Sequence, residues 1–243
     1  MLVTAEDRQR LDPYLPFGLS APASASAITR AQGAVKRMLL DQQLHPGQKV
    51  PIDDVASRLE VSRTPVREAL RLMEGEGLVR ALPNRGFAVR VISVAETAHL
   101  FDTRLCIEPF TAVAAYERRD DAFVSDITAI QETYKRILKG AMNRRLGMVA
   151  DKAFHLRISH QAGNPVLVDF QRKLFDTIIF TRALEGFSLD RSDAAIVEHE
   201  QIVAAMRGNR ADRVRVAALN NVTRGRDAII AFLQQQAAIR TTL

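Results

Sequence analysis

A mainly α fold, with an N-terminal winged helix-turn-helix followed by an all-α antiparallel helical bundle, is predicted by three observations in this 243-residue chain. The decapeptide Val61 to Leu70, VSRTPVREAL, has the two-faced pattern of a helix that follows a tight turn. Two short apolar runs joined by Pro83-Asn84-Arg85-Gly86 come after it and read as a hairpin. From Ser93 onward the apolar period is helical and no strand pattern competes.

Residues 1 to 25 carry Pro13, Pro16 and Pro22 and the low-complexity run Ala21 to Ala27 without a sustained period, which predicts an extended or poorly ordered, flexible arm. Next, Ile28, Val35, Met38, Leu39 and Gln42 recur at helical spacing until His45-Pro46-Gly47 ends a first helix. Ile52 to Glu60 makes a short second helix with Val55, Ala56 and Leu59 on one side and Asp53 and Asp54 near its start, where the helix dipole favours them. The decapeptide supplies the third. At about 100° per residue, Arg63, Thr64, Arg67, Glu68, Arg71 and Glu74 share one arc, and Val66, Ala69, Leu70 and Met73 share the opposite one. Ser62 or Thr64 can cap its free N–H groups, and Pro65 suits the first turn. The arginines therefore stand at the entry end, which a recognition helix inserts into the major groove, where Arg can fork onto guanine O6 and N7. An ordinary amphipathic surface helix would show the same two arcs, so the flanks matter.

Downstream, Glu76-Gly77 stops this helix, and Leu78 to Leu82 and Phe87 to Val91 read as the two strands of a wing. Phe87, Val89 and Val91 alternate toward a core, while Arg85 and Gly86 occupy the tip, where a small residue permits close approach to a phosphate or a minor groove. The winged module so read spans residues 26–92. Ser93 and Glu96 form a capping box that starts a new helix at once. Asp120-Asp121, Gly140, Asn164-Pro165, Asp190 and Gly208-Asn209 then divide the remainder into six helices, roughly 94–118, 121–139, 142–161, 165–185, 191–207 and 210–238. An all-helical domain over 93–238 follows, with an antiparallel bundle and a central cavity as its natural form.

The net charge of +6 is shared evenly, with 13 Lys/Arg against 10 Asp/Glu through residue 92 and 21 against 18 afterwards. Arrangement rather than total singles out the winged module, because residues 58 to 90 hold seven arginines, six of them on the third helix and the wing, and four glutamates. No apolar run approaches the ~18 residues of a membrane span, and the N-terminus lacks a secretory hydrophobic core, so a cytoplasmic protein with no membrane partner is expected. The single cysteine, Cys106, excludes an internal disulfide framework and is expected to be packed between Leu105 and Ile107.

Several polar residues of the bundle fall where the period asks for apolar ones. Asp151 and His155 share a face with Met148, Ile158 and Ala162; His199 shares one with Ala195, Ile196, Ile202, Val203 and Met206; Asn221 shares one with Val214, Ala217, Ala218 and Ala228. Buried carboxylates and imidazoles cost several kcal/mol unless paired or bound to a cation. An Asp/His pair four residues apart can chelate one metal from a single helix, and a hydrogen-bonded core network is the competing reading. Arg104, on the face of Leu100, Phe101, Ile107 and Thr111, can fork onto Glu108 one turn away or onto the carboxylate of a ligand in the cavity.

The run from Leu44-His45-Pro46-Gly47 through VSRTPVREAL and Glu76-Gly77-Leu78-Val79 to Arg85-Gly86-Phe87-Ala88-Val89 resembles the winged helix of GntR-type bacterial transcription regulators. The resemblance implies DNA contacts from Ser62, Arg63, Thr64 and Arg67 on the recognition helix and from Arg85 and Gly86 on the wing. Some relatives carry a DNA-contacting arginine early in the second helix, where this chain has Asp53. The segment Asp151-Lys152-Ala153-Phe154-His155 with Asn164, and Glu198-His199 followed by Ile202, Ala205 and Gly208, resembles the ligand-binding FCD domain of the FadR-type branch, and six helices lean toward its smaller VanR-like form. In many such domains one Asp and three His hold a divalent metal, Zn, Ni or Mn. Asp151, His155 and His199 match three of those positions, and the fourth falls, with a one-residue shift, on Asn221, whose carbonyl oxygen would favour harder cations. An arginine matching Arg104 commonly faces the effector in that family.

The resemblance therefore implies a metabolite-responsive regulator and not an enzyme. Such a regulator would bind a palindromic double-stranded DNA operator as a homodimer, repress transcription, and be released by a small organic acid in the helical domain. Two other readings use parts of the same pattern. One is a metal-dependent enzyme built on the Asp/His cluster, which lacks an accompanying general base or nucleophile motif. The other is an architectural DNA-binding protein whose bundle only dimerises.

Overall fold

The computed structural model describes every residue except 1–3, 17, 18, 20, 21, 23, 84, 141–143, 186–189 and 243. In chain order its main elements are α1 (Ala5–Leu11), α2 (Ala27–Leu40), α3 (Ile52–Leu59), α4 (Arg63–Gly75), β1 (Val79–Leu82), β2 (Gly86–Val89), α5 (Val94–Glu117), α6 (Asp121–Lys139), α7 (Arg144–Gln161), α8 (Pro165–Glu185), α9 (Asp190–Arg207) and α10 (Ala211–Thr242). These form two compact units. Met1–Tyr14, Ser93–Phe175 and Phe187–Leu243 make a helical unit, and Leu15–Ile92 with Asp176–Gly186 makes a winged unit.

In the winged unit α4 packs on α2 and α3. Val66, Ala69, Leu70 and Met73 of α4 are fully buried, as are Ala31, Val35 and Leu39 of α2, so the apolar arc read from the sequence is the packed one. Lys36, almost wholly buried, pairs with Glu76 at 2.7 Å and ties α2 to the end of α4. Ser62 takes the extended conformation of an N-cap, yet neither it nor another side chain caps α4. An N-cap oxygen bonds the second or third N–H of a helix, and Pro65, the third residue here, has none to give. Past the other end, Gly77 adopts φ +74°, and a Cβ there would lie 2.9 Å from Arg90 Nη1. Glu60 closes α3 in the left-handed conformation, at φ 55°. Because that region disfavours a Cβ, Glu60→Gly is expected to stabilise the winged unit by about 0.5–1 kcal/mol, read as a shift in urea midpoint at unchanged m-value.

The wing pairs β1 with β2 antiparallel, Val79 opposite Val89 and Leu82 opposite Gly86. A bridge from Lys49 to Ala88 adds a partner on the other side of β2. Phe87, Ala88 and Val89 are all buried in consequence, whereas Val91, expected to point into the core, lies past the strand end and is 54% exposed.

The helical unit holds α5 to α7, the first half of α8 as far as Phe175, α9 and α10, and these six helices have boundaries close to those read from the sequence. Ser93 and Glu96 form the expected capping box, the Glu96 N–H donating to Ser93 Oγ at 3.1 Å and the Ser93 N–H to Glu96 Oε2 at 2.9 Å. Helix α5 lies along α10 and also meets α7, while α6 packs on α7 and α9. Phe123, Ile127, Tyr134, Phe154, Met206 and Val222 fill the centre. Cys106 is exposed rather than packed.

The arm departs from its expected extended form over residues 4–14, which fold as α1 and a short 3-10 turn at Asp12–Tyr14. Thr4 and Asp7 form a capping box, and Leu11 and Asp7 are each 1% exposed. Asp7 Oδ1 accepts from Arg136 Nη2 and, at 2.9 Å, from Thr133 Oγ1, both on α6. A seven-residue helix is too short to stand alone or to show a period, and its support comes from distant partners. Burial pushes the Asp7 carboxyl upward, but Arg136, the Thr4 N–H and the hydroxyls of Thr133 and Thr4 outweigh it and hold it well below the usual range. With the folded value below the unfolded one, the stabilisation is present above about pH 4 and is lost as pH falls further. Amide exchange of α1, corrected for its intrinsic rate, is expected to accelerate in that acid window. In Asp7→Asn it should be fast already at pH 7 and nearly independent of pH.

Candidate functional site

The polar arc of α4 is the open one. Ser62, Arg63, Thr64 and Arg67 are exposed, as is Arg85 at the wing tip. Arg63, Arg67, Arg85 and Gly86 line one groove of about 820 Å³ together with Lys49 and Asp53; Ser62 and Thr64 stand outside its lining. Gly86 has φ +88°, which permits the turn. Arg63 Nε and Asp53 Oδ1 form an ion pair 2.6 Å apart, with both side chains about two-thirds exposed. A concave basic surface beside the N-terminus of a helix suits a polyanion.

The second centre lies inside the helical unit. Asp151 and His155 of α7 and His199 of α9 bring ligand atoms within 4.8 Å of one another, and His155 and His199 are buried. Each ring is oriented from outside the cluster. Gln131 of α6 donates its amide N–H to the Ile196 carbonyl at 3.0 Å, so its Oε1 is the acceptor for His199 Nδ1–H, also at 3.0 Å. That assignment puts the lone pair of His199 on Nε2, which faces Asp151 Oδ1 at 3.5 Å. Likewise His155 Nδ1–H donates to Glu108 Oε2 at 2.9 Å and leaves Nε2 as the acceptor. Phe154 stacks on His199 with ring centroids 4.2 Å apart, and Phe175 stacks on His155 at 5.2 Å. Two imidazole acceptors beside a carboxylate, each braced through its other nitrogen, form a donor set that fits a divalent cation. Asn221 is buried beside α9 and donates to Glu198 Oε2 at 3.0 Å.

Arg104 is paired internally. Its Nε donates to Glu108 Oε1 and its Nη2 to Glu108 Oε2 at 3.2 Å, and its guanidinium lies over Phe101 and Phe175 at 5.1 and 4.8 Å. Nη2 also approaches His155 Nε2 at 3.5 Å. Burial alone would push Glu108 up, but the charge of Arg104 and the contacts with His155 outweigh it and hold the carboxyl down at about 2. Burial works against the Arg104 charge as well, and Glu108 more than compensates. The adjoining cavity, lined by Glu108, Thr111, His155, Ile158, Ile202 and Ala218 among others, measures about 10 Å³, room for one water.

The periodicity reading did not single out Gln131 as the brace of His199. Its position on the stripe of Ile127, Ile130 and Tyr134 was the available signal. Glu198 and Lys152, 1% and 0% exposed, likewise carry no core signal in the periodicity.

Two stretches of the chain match known protein families. Residues 99–224 match the model of the FCD domain, and residues 27–89 match that of the bacterial regulatory proteins of the gntR family. The chain belongs to the GntR family of bacterial transcription regulators, in the branch that carries an FCD domain. The HTH-type transcriptional regulator LutR of Bacillus subtilis is 31% identical over 209 residues, 76% of this chain and 94% of that protein. The Nta operon transcriptional regulator of Aminobacter aminovorans is 26% identical over 200 residues, 81% of this chain and 91% of that one. Among solved structures, Escherichia coli McbR/YncC superposes with a TM-score of 0.70 at 20% identity, covering 88% of this chain and 99% of that one, which shows the shared fold. The family is one of DNA-binding regulators, not enzymes. No helix among the described residues is long and apolar enough to cross a membrane.

Proposed function

We propose that the protein is a repressor that binds a palindromic operator as a homodimer and is released by a small organic acid held in the helical unit. The groove lined by Arg63, Arg67 and Arg85 carries this reading, since it combines the entry end of a recognition helix with a wing tip. One chain holds one such helix, and a symmetric site needs two about one DNA turn apart, roughly 34 Å. Ser62 and Thr64 at the start of α4, and Gly86 at the tip, would add phosphate contacts. Selection from a random duplex library with the full-length protein tests it. Symmetric half-sites with centres about 10 bp apart are expected, and recovery of no preferred sequence would overturn the reading.

Asp151, His155 and His199 would hold a divalent metal, Zn, Ni or Mn, with the Asn221 carbonyl oxygen as the further donor while its amide N–H bonds Glu198. The cation would supply Lewis acidity toward an oxygen ligand. Elemental analysis of dialysed protein is expected to find bound metal, depleted in His199→Ala; no metal even after supplementation would remove the claim. An acid effector would exchange with Glu108 on Arg104, because both carboxylates suit the same guanidinium fork.

A further inference from the structure

We propose that Asp53 is a positioning residue for base readout and sets which base pair Arg63 selects. This inference rests on the reading of α4 as a recognition helix. Both side chains of the Arg63–Asp53 pair are about two-thirds exposed, so the contact adds little to folding stability. A carboxylate on the wall of a groove shared with Arg67, Arg71 and Arg85 also opposes phosphate, and so weakens binding to DNA of any sequence. Its effect is therefore geometric. Asp53 sits in the first turn of α3, where the helix dipole steadies its charge, and Arg63 is the first residue of α4. With Nε held 2.6 Å from Asp53 Oδ1 in an ion pair, that side of the guanidinium is occupied and the Nη1/Nη2 edge is left to fork onto guanine O6 and N7. The long side chain is thereby held in one conformation before DNA arrives.

The test is the same duplex selection with the full-length wild type, Asp53→Asn, Asp53→Glu and Arg63→Ala, followed by titration of the selected duplex, its single-base-pair variants and an unrelated duplex. Asp53→Asn is expected to lose roughly five- to tenfold in discrimination at the base pair that Arg63→Ala also stops selecting. It should hold its preference elsewhere and bind the unrelated duplex more tightly, while Asp53→Glu restores part of the discrimination. A purely structural role for Asp53 would weaken all duplexes alike. If Arg63→Ala flattens a base pair and Asp53→Asn leaves it sharp, the inference is overturned while the DNA-binding reading stands. If Arg63→Ala flattens none, Arg63 reads no base and the inference falls with it. If the wild type selects nothing, both fall.

Discussion

Arg104→Ala is expected to lower the unfolding free energy by about 3–5 kcal/mol, because it strands the Glu108 carboxylate in the bundle with the His155 Nδ1–H beside it and no cation to pair with. Arg104 and Glu108 are 4% and 5% exposed, so bulk solvent does not replace the lost partner. Removing both charges should cost far less than removing one, and Arg104→Met/Glu108→Gln is expected to recover most of the loss while keeping an acceptor for His155 Nδ1–H. Urea unfolding of the wild type, both single variants and the double variant gives the coupling directly; a loss below about 1 kcal/mol in Arg104→Ala, or simple additivity, would contradict the pairing. The double variant also separates sensing from folding. It should still bind the selected duplex and should no longer be stabilised against heat, or released from DNA, by a panel of small carboxylates.

Arg63→Ala and Arg67→Ala are each expected to weaken binding to the selected duplex by about 1–3 kcal/mol and to flatten preference at one base pair. Arg85→Ala, at the wing tip, should instead weaken all duplexes by a similar factor and reduce the slope of log affinity against log salt by about one. Fluorescence anisotropy at several salt concentrations distinguishes the two behaviours. Sequence preference retained by the Arg63/Arg67 double variant would show that α4 does not face base edges.

What the sequence made legible was local. The opposite arcs of α4, the Ser93/Glu96 box, the breaks at Gly140 and Gly208-Asn209 and the inward face of Asp151 and His155 depend on neighbours within a turn or two, so spacing reveals them. Arg104 and Glu108, four apart, were readable as a pair for the same reason, although spacing left open whether a ligand took the place of Glu108. The burial of Asp7 was not readable, because its partners Thr133 and Arg136 lie 126 and 129 residues away. Nor was the bracing of His199 by Gln131, which joins α6 to α9. The missing cap on α4 is implicit in Pro65, because N-cap preference at Ser62 presumes a third helical N–H that proline lacks. Val91 failed as a core residue because alternation says which face a side chain takes but not where the strand stops.

The segment before α3 is laced to the wing by three backbone hydrogen bonds, from the Gly47 N–H to the Val89 carbonyl, from the Val50 N–H to the Phe87 carbonyl and from the Val89 N–H to the Gln48 carbonyl, at 3.0, 2.8 and 2.8 Å. The start of α3 and the strand leading from the wing tip therefore share a ladder and shift together. A mismatch between this stiff template and a straight duplex must be absorbed by the nucleic acid, through bending or a change in minor-groove width. Pyrimidine–purine steps placed where no side chain touches a base should then alter affinity, because they set how cheaply the double helix deforms.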